Sequence, residues 1–243
     1  TTDILDDVFA QVRSVISPLV QQIVAKGQQP NTDMLFQHFQ KDGQRQVAIE
    51  ILQRLGYDFD AGRLDETVHP FMIELNRNDI RVTTKYDEAD FRSAIFGVIH
   101  ECGHALYEQN IDESLTGLPL CTGTSMGIHE SQSLFYENFI GRNEQFWMHN
   151  FSLLQQYSPA QFGDVAVDDF LKAINFAKPS LIRIEADELT YVLHIIVRYE
   201  LERDLFNGAL EVADLPARWN DLYEQYLGIR PANDAQGVLQ DMH

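Results

Sequence analysis

Residues 87–109 read DEADFRSAIFGVIHECGHALYEQ. Apolar side chains at Phe91, Ile95, Phe96, Val98, Ile99 and Leu106 recur at helical spacing, and Asp87, followed by Glu88 and Asp90, is a start signal. A long helix embedded in a core is expected here. It carries His100-Glu101-Cys102-Gly103-His104, an H-E-x-x-H arrangement. Histidines four apart stand one above the other on a helix face, so both imidazoles can reach one tetrahedral zinc ion. The glutamate beside the first histidine then lies near the open coordination position and serves as general base. Zinc held in this way lowers the pKa of a water molecule to about 7. Chance alone would place such a motif somewhere in a chain of this composition roughly 2% of the time. Its setting among apolar residues argues further against coincidence, because buried histidines and glutamates need partners. Cys102 points away from the two histidines on a helix and is expected to be a small buried residue.

A catalytic zinc takes a third protein ligand and keeps one position open. His129-Glu130-Ser131-Gln132 lies on the next expected helix, after a loop rich in Gly, Pro and Thr. If the two helices pack antiparallel, Glu130 completes a set of His100, His104 and Glu130. His129 is either a competing ligand or a group that supports one.

Outward from this centre, the apolar periodicity predicts helices over 4–24, with Pro18 bending or splitting the first, and over 47–55, closed by Gly56. A cap at Asn31-Thr32-Asp33 predicts a short helix through His38 and Phe39, and residues 58–70 read as loop. Two short strands, 71–75 and 79–86, are joined by a turn at 76–78. Further helices are expected over 125–140, 143–157, 167–176, 181–207 and 215–227. The fold class is mostly α with one small β-ribbon, organised as a single region over 1–243.

The chain has 243 residues, 18 basic against 37 acidic, and a formal net charge of −19. That balance repels phosphate backbones and disfavours nucleic acid as a partner. No uninterrupted apolar run approaches the length of a membrane span, and the first seven residues lack the pattern of a signal peptide. Two cysteines, Cys102 and Cys121, make no disulfide framework, so a reducing cytoplasmic location is the expectation.

Six segments occur in order: His69-Pro70-Phe71, Asp79 to Thr84, His100 to His104, His129 to Gln132, Ile184 to Tyr191 and Gly237 to His243. Together they resemble the thermostable carboxypeptidase Taq family, the M32 metallocarboxypeptidases. Residues 1–68 carry no such motif. The resemblance implies a helical zincin-type body, two-lobed around a deep groove and related to neurolysin and angiotensin-converting enzyme. It implies removal of residues one at a time from peptides with a free C-terminus, one Zn²⁺ per chain with Co²⁺ as a possible substitute, and a homodimer for the full-length protein. Carried over, the metal ligands are His100, His104 and Glu130, with Glu101 as general base and then proton donor. Family members run to about twice this length. The chain is therefore expected to be a C-terminal portion of a longer enzyme, truncated at both ends relative to the family.

An exopeptidase holds a substrate α-carboxylate, for which the arginine fork is suited. Arg81 and Arg230 are the candidates, each also readable as an ordinary ion pair. His69 and His243 would line the groove. Tyr191, Tyr223, Tyr226 or His243 could donate to the oxyanion. Asp187 and Glu188 either start a helix or receive the free N–H of a ligand histidine. Two other readings stand beside the peptidase. In one, Glu101-x-x-His104 and Glu66-x-x-His69 are halves of a di-iron carboxylate bundle, although Pro70 and the loop context count against the second copy. In the other, the chain is a catalytically inactive helical metal-binding module.

Overall fold

A computed structural model describes residues 2–240 of the protein. In chain order the elements are α1 (Thr2–Lys26), α2 (Lys41–Leu55), β1 (Leu64–Glu66), β2 (Met72–Asn76), β3 (Asp79–Thr84), α3 (Arg92–Gln109), α4 (Met126–Leu134), α5 (Glu144–Tyr157), α6 (Pro159–Phe162), α7 (Val167–Ile174), α8 (Glu188–Phe206) and α9 (Leu215–Leu227). Short 3₁₀ turns connect several of them. The mostly α class stands. The expected ribbon is a three-stranded sheet of order β1-β3-β2, with β1 parallel and β2 antiparallel to β3. β1 falls within the stretch that reads as loop, because three residues with one buried side chain carry no detectable alternation.

The chain packs as two compact units. The first takes residues 1–29 and 175–243, and the second takes 30–174. In the first, α1, α8 and α9 bury Val20, Leu193, Ile196, Val197, Trp219 and Leu222. α1 runs unbroken through Pro18. Pro18 and Ser14, whose carbonyl loses its helical bond, are both exposed, so water can take that carbonyl. By length and average apolarity α1 could cross a membrane, although no uninterrupted apolar run of that length lies within it. Charges interrupt it, however: Arg13 pairs with Glu200 of α8, and Asp6 with Arg203.

In the second unit an aromatic core of Phe39, Phe91, Trp147, Phe162 and Phe170 sits under α3, with α2 and β3 also packed against that helix. α3 begins five residues later than the cap signal suggests. Asp87 and Asp90 each accept the N–H two residues on, at 2.8 and 3.1 Å, which holds the chain in Asx turns and drops Phe91 into the core. α2 starts six residues earlier than expected. Its Gln44 is buried and donates to the carbonyls of Phe39 and Asp87, both at 2.7 Å, so an inward position is polar and escapes an apolar pattern. α8 starts at Glu188 because Asp187 accepts the N–H groups of Leu189 and Thr190. The expected helix over 125–140 divides into α4 and a π-helical segment, Phe135–Ile140.

α3 and α4 meet backbone to backbone. A β-carbon at Gly103 would stand 2.6 Å from the Gln132 carbonyl oxygen and the Ser133 Cα. Gly103→Ala should therefore force the helices apart and cost about 1–3 kcal/mol. Gly97→Ala, on the same helix with nothing within 4 Å, should gain up to about 1 kcal/mol. Urea unfolding midpoints of the two variants check this; equal midpoints would show that the contact constrains nothing.

Candidate active site

Three elements of the second unit build the site. α3 supplies His100 and His104 one turn apart, with ring centroids 5.1 Å apart. α4, capped by Ser125, whose hydroxyl accepts the Ile128 N–H, supplies Glu130 from its first turns. The close approach at Gly103 lets the carboxylate reach both rings. Glu130 Oε2 lies 3.3 Å from His104 Nε2 and 3.8 Å from His100 Nε2. One ligand atom from each of the three residues lies within 4.8 Å of the others. Around a tetrahedral zinc with ligands at about 2.0–2.1 Å, donor atoms stand about 3.4 Å apart. The donor set suits such an ion, and the two distances to Glu130 Oε2 fit it with shifts of a few tenths of an ångström.

The far side of each imidazole is engaged. His100 Nδ1 lies 2.9 Å from Glu137 Oε2, so this nitrogen carries the hydrogen and Nε2 keeps its lone pair for a metal. His104 Nδ1 lies 2.6 Å from His129 Nδ1, and His129 Nε2 lies 2.7 Å from Glu108 Oε1. His129 thus spends both nitrogens on protein. Of the two roles open to it, support of a neighbouring histidine is the one this geometry matches. Glu137 comes from the π-helical segment, a wide turn that is rare and concentrates at functional sites.

Glu101 is buried within α3, and Cys102 fully so. Burial pushes the Glu101 carboxyl above its ordinary pKa, against the pull of His100 and His104. Its hydrogen bond with His104 holds Glu130 below its ordinary value, with burial opposing. At His100, burial works against the charged ring, but the hydrogen bond and charge of Glu137, with Glu101 and Glu130 behind it, leave its pKa raised. The cluster is thus organised to hold positive charge.

His69 is exposed, yet near enough for its charge to act on Glu101. Arg81 is closed into a bidentate pair with Asp79, both bonds 2.7 Å. Arg230 bonds Asp221 and Glu224, at 3.0 and 2.6 Å, in the first unit. For both arginines the ordinary ion pair is the arrangement found. Tyr191, also in the first unit, has its hydroxyl 3.2 Å from Arg183. Tyr223 lies 3.0 Å from His194, and Tyr226 bonds Glu200. Asp187 serves as a helix cap, and the carboxylate on a metal-facing histidine is Glu137 instead. His243 lies outside the described residues. The second E-x-x-H has no helix: Glu66 is on β1, paired with Lys41. Sequence reasoning missed Glu108 and Glu137. Their signals were spacings, since Glu108 continues the stripe of His100 and His104 at i+8, and Glu137 follows Glu130 by two turns.

Comparison with known proteins matches residues 1–243 to the family described as carboxypeptidase Taq (M32) metallopeptidase. Carboxypeptidase 1 of Bacillus subtilis (strain 168) is 59% identical over 243 residues, which cover all of this chain and 48% of that protein. Thermostable carboxypeptidase 1 of Thermus thermophilus is 45% identical over 235 residues, 97% of this chain and 46% of that protein. The crystal structure of an M32 carboxypeptidase from Deinococcus radiodurans R1 superposes with a TM-score of 0.96 at 42% identity, over 100% of this chain and 49% of that one. The chain spans about half the length of the curated relatives it matches. The full-length family match, together with the helical fold these relatives share with it, places this chain in the carboxypeptidase Taq (M32) metallopeptidase family.

Proposed function

We propose that this chain carries the catalytic centre of a zinc metallocarboxypeptidase that removes C-terminal residues from peptides. The observation that carries the reading is the convergence of His100 Nε2, His104 Nε2 and Glu130 Oε2 from two helices, at distances of 3.3 and 3.8 Å to the shared carboxylate oxygen. These three residues would hold the ion, and three protein ligands leave a coordination position open. When bound, zinc supplies Lewis acidity toward the scissile carbonyl and toward water.

The remaining work falls to side chains of this chain. Glu101 takes the proton of the attacking water on a carboxylate oxygen and passes it to the departing amide nitrogen, with no covalent enzyme intermediate. Burial suits it to both steps, because raising the carboxyl pKa makes the carboxylate a stronger base for the water proton and moves it toward the neutral range, where it can both take and return that proton. Glu137 and His129 keep the two imidazoles turned toward Glu130. His69, within electrostatic range of Glu101, is positioned to meet a substrate group beside the general base.

Metal content per chain, measured by mass spectrometry after dialysis against zinc, should be about one in the unaltered chain and in Glu101→Gln. In Glu130→Ala the hold on zinc should weaken sharply, and an unchanged hold would remove Glu130 from the ligand set. Glu101→Gln should slow release of C-terminal amino acids by about 10²-fold or more. Hydrolysis at the parental rate would remove Glu101 from the mechanism.

A further inference from the structure

Behind His104 the contact with His129 continues into a line of polar groups that reaches beyond those the proposed reaction uses. It passes from His104 Nδ1 to His129 Nδ1 at 2.6 Å, and from His129 Nε2 to Glu108 Oε1 at 2.7 Å. The same Glu108 oxygen accepts the Gly123 N–H at 2.9 Å. The Glu108 side chain is 2% exposed, and its other oxygen, Oε2, is buried without an N–H or hydroxyl donor among the described residues. Glu108 is also hydrogen-bonded to the carboxyl of Glu74, which stands on β2 and bonds Thr122 as well. The loop is folded down onto this line, since a side chain at Gly123 would strike the His129 ring and Glu108 Oε1.

Two ionised carboxylates cannot share a hydrogen bond, so one of the pair holds a proton. Glu108 already accepts two N–H groups on Oε1, so that oxygen is engaged and only Oε2 is left to meet Glu74. Burial and the charge of Glu108 both raise the pKa of Glu74. The proton therefore belongs to Glu74, and Oε2 is the oxygen left to accept it. Every donor direction along the line then follows. Glu74 donates to Glu108, and His129 donates from Nε2 to Glu108. A neutral His129 has its lone pair at Nδ1, so His104 must donate from Nδ1. The lone pair of His104 is left on Nε2, which faces Glu130.

We propose that Glu74, Glu108 and His129 are positioning residues: a hydrogen-bonded line, anchored by a proton on Glu74, that locks His104 in its Nδ1–H tautomer and aims Nε2 at the metal. The line rests on the reading of His104 as a ligand for its purpose, but its hydrogen placement is a property of the metal-free chain.

Nitrogen-15 spectra of the histidines in the metal-free chain, at about pH 8 where ordinary imidazoles are neutral, should show His104 protonated at Nδ1 and His129 at Nε2. The opposite tautomer at either ring overturns the proposal, whether or not the chain proves to be a peptidase. Zinc affinity, measured by competition with a chelator, supplies the second arm. Glu108→Gln removes the charge while keeping an acceptor, and should weaken zinc binding about 10- to 100-fold. Glu74→Gln replaces the carboxyl O–H with an amide N–H donor, and should leave affinity within about twofold. Equal losses in the two variants would place a needed charge on Glu74 and sink the assignment, as would an unchanged affinity in a folded Glu108→Gln chain. If the unaltered chain takes up no zinc, the ligand reading fails, and the tautomers still decide the line.

Discussion

At Gly103 the third and fourth helices touch through their backbones, with the Gln132 carbonyl and the Ser133 Cα in the volume a side chain would need. The rest of the centre depends on that contact. A carboxylate side chain is short, and Glu130 reaches both imidazoles only because its helix is this near. A second glycine maintains the approach farther along: a β-carbon at Gly141 would lie 3.1 Å from the Ile99 side chain. Between these two contacts the chain widens into a π turn and presents Glu137 to His100. Close packing and ligand geometry are thus one constraint seen from two sides.

The same constraint explains how a chain of net charge −19 gathers Glu101, Glu130 and Glu137 around two histidines without disrupting its fold. Each carboxylate has a distinct counterpart. Glu137 takes an imidazole N–H, and Glu130 takes the facing nitrogens together with the Ser133 hydroxyl at 3.2 Å. Glu101 is left to burial, which raises its pKa. The differences among the three follow from surroundings rather than residue type, which sets one kind of side chain in three electrostatic settings within a few ångströms.

Much of this was legible in the sequence, for reasons that lie in periodicity. The stripe at positions 100 and 104 depends only on the helical repeat, and a helix through it was demanded by Ile95, Val98 and Ile99. Glu130 could be read because its helix follows after one loop, which left open whether the two pack together and whether His129 competes for the ion. What stayed hidden depends on contacts between elements distant in sequence. The choice of Glu137 over Asp187 as partner of His100 cannot be read from either local sequence, since both are acids near helices. β1 was hidden because its pairing with β3 rests on backbone hydrogen bonds, which leave no mark on three side chains. Where α2 and α3 begin was decided by Gln44, Asp87 and Asp90 bonding to backbone groups, a use of polar residues that an apolar pattern does not record.

The division of the chain into units has a kinetic side. The unit holding the histidines is one uninterrupted run, 30–174, so its helices can pair through short loops as they leave the ribosome. The other unit is made of two separated stretches, and α1 meets α8 and α9 only after that entire run has been synthesised. Closing so long a loop is thermodynamically mild, because each doubling of length costs only about 0.6 kcal/mol. In time it is not mild. Throughout that interval Val12, Ile16 and Val20 of α1 lack the partners they pack against in the finished fold. Until then the apolar face of α1 stays without those partners while residues 30–174 can already pack, and this is the stage at which a chaperone has most to protect.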